Sequence, residues 1–371
     1  MSPLLNQEAL ACLESVGDPR TERNKRHKLV DILVIALCGF LAGCEGWVDV
    51  ELFGSSRREW LEKFLELPNG IPSHDTFGRV FALLDPQQLA RVLRQFVQTV
   101  TGSLQGEAVA IDGKTLRRSG DPATGKDALH LVSAWATQHG VVLGQVATAD
   151  HSNEITAIPA LLSVLDLRGA TVTIDAMGCQ KAIARQVREQ GADYVLAVKG
   201  NQENLEKAVR FQLSRSNVPR SKLKTREKNH GRTERRTYTA MAAPTVVRRH
   251  WPDAQSVVRV CRECMQDGKK TKEVRDFISS LPAHGERLAE LIRGHWGIEN
   301  RLHWSLDVTF NEDQSRIRQG NAAENVALFR RLTLSILKQD TQYSDSLRCK
   351  RLRASWETTA LEHFLTIFAG N

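Results

Sequence analysis

Two short runs of the chain end in the same way. AVAID closes on Asp112 and TVTID closes on Asp175, each an acid that ends an otherwise apolar stretch. Such runs read as buried strands, and the carboxyl ends of strands are where open α/β sheets build their sites. Two carboxylates at two strand ends can share a cation. Each acid taken singly can also start a turn, and Asp112-Gly113 is a common turn pair. A third candidate is Glu299, within the helically spaced stretch LAELIRGHWGIENRLHWSLDV, where His295, Glu299 and His303 recur on one face beside Trp296 and Leu302. A partly buried carboxylate needs a partner: a metal ion, or hydrogen bonds from the adjacent imidazoles. Asp307, Glu312 and Asp313 are rivals for the same role.

Carboxylate-only ligation points to a hard cation, Mg²⁺ with Mn²⁺ as substitute, because softer metals favour Cys and His. Two such ions about 4 Å apart can activate a water or a 3′-hydroxyl and stabilise the leaving oxygen of an in-line displacement at phosphorus. No covalent enzyme intermediate is required. Zinc is the weaker reading. His295 and His303 do not have the two-histidine zinc-protease spacing, and Cys261 and Cys264 form one CxxC without a second pair. Neither a P-loop nor a dinucleotide fingerprint is present.

Charge supports a polyanionic substrate. From Leu205 to His250 there are thirteen Lys and Arg against three acids, a local +10 in a chain whose total is +8, so the remainder carries about −2. A solvated basic surface would look the same. Lys114, Arg117 and Arg118, just after Asp112, can hold phosphates or stand in an exposed hairpin.

The elements that must position these residues follow from periodicity. Residues 1–103 show helical spacing, as in IPSHDTFGRVFALL, where Ser73 can cap and Phe77, Val80, Phe81 and Leu84 share a face. From Gly106 short apolar runs predict strands: EAVAID, LHLVSAWAT, GVVLGQVAT, ATVTID and ADYVLAVKG. AMGCQKAIARQVREQG, between the last two, predicts a covering helix, so the core is α/β with a mixed sheet. Residues about 203–283 read as a basic, β-rich insertion with strands in TERRTYTAMAAPTVV and SVVRVCREC, separating the sheet from the late helix. Asn321 to about Lys338 predicts another helix, followed by a basic, irregular end.

The chain has 371 residues, 41% apolar and 25% charged, enough for two or three soluble domains. The longest uncharged apolar stretch, Ile32 to Cys44, has 13 residues, whereas a bilayer-spanning helix needs about 20. It reads as a buried helix. MSPLLNQEAL lacks the build of a secretory signal, and seven scattered cysteines fit a reducing compartment. The expectation is a cytoplasmic protein without membrane contact.

Five stretches carry a resemblance that spans nearly the whole chain: IPSHDTFGRVF (71–81), AIDGKTLRRS (110–119), SNEITAIPALL (152–162), TIDAMGCQKAIA (173–184) with DYVLAVKGNQ (193–202), and GHWGIENRLHWSLDVTFNEDQSRIR (294–318). The chain resembles the transposases of bacterial insertion sequences with an Asp-Asp-Glu triad, in the H-repeat-associated branch linked to Rhs elements. The resemblance implies a ribonuclease-H-like catalytic domain at 104–371 with a β-rich insertion, and a helical domain at 1–103 for recognising DNA ends. It implies that Asp112, Asp175 and Glu299 are the catalytic, metal-holding triad, acting on double-stranded DNA as a homodimer or higher assembly. The wider class carries Tyr-Arg-x-Arg-Trp-x-Ile-Glu on the late helix and a lysine seven residues after the acid. Here Ile292, His295 and Leu306 stand at the tyrosine, second arginine and lysine positions. His295, Asn300 and Lys114 are the helper residues this alignment suggests, and HGRTERR offers His230, Arg232, Arg235 and Arg236 as DNA contacts. A catalytically idle DNA-binding descendant, or a nuclease that cuts without joining, fits the same residues.

Overall fold

The computed structural model describes residues 7–121, 125–148, 153–229, 232–266 and 268–370. His230 lies outside them. One nine-stranded mixed sheet runs through the molecule in the order β3-β2-β1-β4-β5-β9-β8-β7-β6. Its first five strands are β1 (Ala108–Thr115), β2 (His130–Ala136), β3 (Val141–Ala147), β4 (Thr171–Ile174) and β5 (Asp193–Val198). β1, β4 and β5 are parallel, with β2 and β3 added antiparallel on the β1 side. All four residues of β4 are buried, as expected of a parallel strand covered on both faces.

The five expected runs each form a strand, and the helix Lys181–Glu189 joins β4 to β5. A second helix, Glu154–Ser163, covers β2 and β3. Its sequence hides it. Pro159 sits inside it, and an internal proline ordinarily argues against a helix because it lacks an N–H and crowds the preceding turn.

The insertion does not stand apart from the sheet. It contributes helix Glu203–Ser214, then β6 (Arg220–Asn229), β7 (Arg232–Ala242), β8 (Ser256–Gln266) and β9 (Lys269–Ser279). β9 pairs antiparallel with β5, from Val195↔Ser279 to Val198↔Asp276. The β-rich insertion therefore extends the central sheet. The edge strand β6 and the first half of β9 alternate charged side chains rather than apolar ones, so they carry little of the hydrophobic signature of a strand.

The N-terminal helices include Leu29–Leu41, with all residues but Val30 buried, and His74–Leu83, which buries Phe77, Val80 and Phe81. They pack on the long helix Ala322–Gln339, where Phe329 meets Phe40 and Phe81 at ring-centroid distances of 6.2 and 5.0 Å. One apolar core thus joins the N-terminal helices to the sheet. The chain end is regular, with helices Leu347–Trp356 and Thr358–Phe368 where an irregular tail was expected. In the first of them the apolar spacing is masked by the run of basic residues in RCKRLR. No helix among the described residues is long and apolar enough to cross a membrane.

Candidate active site

Asp112 sits inside β1, not at a turn. Asp112 pairs with Ser133 and Gly113 with Val132, and the ladder runs on to Thr115↔His130. Asp175 follows the last residue of β4, and its Oδ1 accepts from the backbone N–H of Met177 at 2.9 Å and Gly178 at 3.3 Å. Those bonds pin its carboxylate at the strand end. Because β1 and β4 are parallel neighbours paired through Ile111↔Ile174, the two aspartates emerge side by side at the same edge.

The late helix supplies the third acid by an irregular route. It is α-helical over Gly285–His295, π-helical over Ile298–His303 and α-helical again over Trp304–Val308. Single π-turns concentrate at functional sites because the wider turn re-aims side chains. Glu299 is exposed within this turn, and with Asp112, Asp175, His295 and Trp296 it lines one cavity of about 410 Å³. The flanking imidazoles do not serve Glu299. His295 Nδ1 is 2.9 Å from Thr173 Oγ1 on β4, and His303 Nδ1 is 3.6 Å from Asp112 Oδ2.

The electrostatics of the cavity are those of crowded like charges. Burial, followed by the charges of Glu154, Glu299 and Asp175, pushes the Asp112 carboxyl up to about 7. Burial drives His295 down to about 4 and, with help from Arg331 and Lys114, His303 down to about 3. Both rings are therefore neutral near pH 7. No three His, Cys, Asp or Glu side chains among the described residues are already arranged to hold a metal ion. The donor set nevertheless fits a hard divalent cation in type and charge, since three carboxylates face one cavity and a cation would relieve their repulsion. Cys261 and Cys264 both lie on β8, where residues three apart point to opposite faces, so they are poorly placed to chelate together.

Lys114, read from the sequence as a phosphate contact or a residue of an exposed hairpin, has a side chain that is 7% exposed, with its Nζ 2.7 Å from both Asp307 and Asp313. Glu312 is fully buried and bonds Arg331 Nη1 at 2.8 Å. The acids considered as rivals of Glu299 are thus engaged by Lys114 and Arg331, behind β1. Arg117 and Arg118 are exposed, Arg117 reaching Asp313 at 3.2 Å.

The insertion builds a second wall. A groove of about 540 Å³ leads away from Glu299 and Asn300, lined by Arg232, Arg236, Arg262, Arg275 and Arg293. Arg275 lies over the Trp296 ring, 4.3 Å from its centroid. Glu234 on β7 is approached by Arg232, Arg236 and Arg262, and Glu227 on β6 by Arg236 and Arg293. Arg235 points outward and is exposed. The sequence singled out Arg232 and Arg236 but not Arg262, Arg275 or Arg293. Pairing of β7, β8 and β9 brings Arg262 and Arg275 alongside them, and Arg293 comes from the helix Gly285–His295, which packs against β6 and β7.

The comparison with known families gives this arrangement of sheet and helices its class. Residues 103–337 match the transposase DDE domain, and residues 10–97 match the segment associated with it. The chain belongs to the DDE transposase family. It is 39% identical over 360 residues to the H repeat-associated transposase candidate YhhI of Escherichia coli (strain K12), covering 94% of this chain and 95% of that protein. The transposase candidate YncI of Escherichia coli O157:H7 is 39% identical over 368 residues, covering 97% and 94%. The chain is also 38% identical to protein YbfL of Escherichia coli (strain K12), covering 94% and 95%.

Proposed function

We propose that the protein cuts DNA at the ends of an insertion sequence and joins those ends to target DNA. The observation that carries this reading is the single cavity shared by Asp112, Asp175 and Glu299 at the carboxyl edge of β1 and β4. In this reading the sheet and its covering helices form a ribonuclease-H-like core at 104–371, and the helical residues 1–103 contribute to recognising the element ends.

Asp112, Asp175 and Glu299 would hold the Mg²⁺ ions. Bound there, the ions would lower the pKa of a water or 3′-hydroxyl and neutralise charge on the leaving oxygen. The protein's own contribution is orientation. The Met177 and Gly178 amides fix Asp175, Thr173 fixes His295, and the two neutral imidazoles add no charge that would repel a cation. The arginines of the groove hold the phosphates on either side of the scissile bond, with their glutamates keeping them spread along the sheet face. Two copies acting on two DNA ends, in the bacterial cytoplasm, complete the proposal.

The test is cleavage and strand transfer on labelled DNA carrying the neighbouring element's ends, with Mg²⁺ or Mn²⁺. The wild type should form both products, and Asp112→Ala, Asp175→Ala and Glu299→Ala should each lose them. Cleavage without joining would reduce the protein to a nuclease. A folded wild type that binds DNA and yields neither product would overturn the catalytic reading.

A further inference from the structure

The four strands of the insertion have two faces, and only one of them looks into the groove. Side chains two apart on a strand share a face, and the pairing aligns Arg226, Arg235, Glu263 and Lys272 in one row across the other face. Lys222, Lys224 and Lys228 lie on that same face of β6. At its inner end Met241, Val257 and Ile278 are buried in the core with Leu205 and Val209 of the helix Glu203–Ser214. Further out the face opens to solvent, with a concavity of about 550 Å³ over Lys224, Arg226, Arg235 and Lys272.

The charge on this outer face is nearly all of one sign. Its acids are Glu263, which meets Lys270 at 3.5 Å, and Asp276, which holds Arg259 through two bonds of 2.8 Å. Lys222, Lys224, Arg226, Lys228, Arg235 and Lys272 are exposed and form no ion pair among the described residues. The groove face differs, because Glu227, Glu234 and Glu273 engage all five of its arginines. The outer face therefore carries the larger uncompensated charge. On β6 the cations recur at every second residue, about 7 Å apart. A DNA strand carries one charge per about 3.4 Å of axis, so alternate phosphates match that spacing. A line of cations suits an extended polyanion better than a single phosphate. Among the described residues of the four strands, this face has no asparagine or glutamine to read base edges.

We propose that the outer face of β6 to β9 binds a second DNA duplex, whatever its sequence, while the groove holds the one being cut. The proposal rests on the DNA-processing reading of the groove. The sheet stands between the two faces, so a straight duplex lying beside Glu299 does not also reach Arg226 and Lys272. Cations that served only to keep the edge strand β6 from pairing with another chain would hold no DNA.

The test loads the full chain onto an immobilised duplex carrying the element's end, then offers a labelled duplex of unrelated sequence in EDTA at several salt concentrations. The wild type should capture the second duplex with an affinity that falls steeply as salt rises. Lys224→Gln, Arg226→Gln and Lys272→Gln combined should lower the slope of log K against log salt for that capture by about three, one for each cation. Loading onto the immobilised end should persist. Lys224→Arg, Arg226→Lys and Lys272→Arg combined keep the charges and should keep the capture. Equal capture by the glutamine variant and the wild type, or no capture by a wild type that loads, would overturn the second surface and leave the groove reading standing. Loss of loading by the glutamine variant would likewise overturn it, by placing both faces on one duplex. A folded wild type that binds neither duplex would overturn both readings.

Discussion

Replacing Asp112 by Asn should make the metal-free protein more stable while abolishing its reaction. Burial and neighbouring carboxylates raise Asp112 from 3.8 to about 7. The folded state therefore binds a proton that the unfolded state has released between these values, and stability falls as pH rises through that window. At about 1.4 kcal/mol per pKa unit, the full shift corresponds to about 4 kcal/mol above pH 7. The Asp112 side chain is 20% exposed, and solvent screening reduces the figure to about 2–3 kcal/mol. Asn has the same outline and no charge, so it escapes this cost. For 371 residues, an unfolding entropy of about 2.1 cal/mol/K per residue turns that gain into a Tm rise of about 3–4 °C. The assay is thermal unfolding in EDTA at pH 5 and pH 8, wild type against Asp112→Asn. The gain should be present at pH 8 and small at pH 5, and added Mg²⁺ should narrow it by stabilising the wild type alone. A variant no more stable than the wild type at pH 8, or a gain of equal size at both pH values, would refute the reasoning.

Other substitutions probe the scaffold and the groove. Glu312→Ala leaves the fully buried Arg331 guanidinium without its carboxylate and should cost about 3–5 kcal/mol in denaturant unfolding; a loss below about 1 kcal/mol would mean the pair is hydrated. Lys114→Met removes the ammonium between Asp307 and Asp313 and should lower stability without changing the salt dependence of DNA binding. A phosphate-contacting lysine would instead reduce the slope of log K against log salt by about one. Arg293→Ala and Arg275→Ala, both in the groove, should each flatten that slope in a filter-binding or fluorescence titration, and an unchanged slope in both would remove DNA from the groove.

Much of the first five strands was legible because their signals are local. Strands β1 to β5 are short apolar runs bounded by polar or glycine residues, and Asp112 and Asp175 stood out as acids against that background. Other features depend on long-range partners. β6 and β9 are strands because β7, β8 and β5 supply their hydrogen bonds, not because their own side chains are apolar. Lys114 looked like a surface cation because Asp307 and Asp313, its partners, lie nearly two hundred positions away in the chain. His295, Glu299 and His303 were spaced for one face of an α-helix, yet a π-turn intervenes, and the imidazoles turn to Thr173 and Asp112 instead.

The π-turn over Ile298–His303 also bears on how such a chain decays. A π-turn holds one residue more than an α-turn while the helix on either side keeps its direction. Deleting one residue there would restore ordinary i→i−4 bonding and leave Trp304–Val308 where it is, so the whole change would fall on the turn that carries Glu299. The helix would gain regularity, and the glutamate would lose the wider turn that aims it at the cavity.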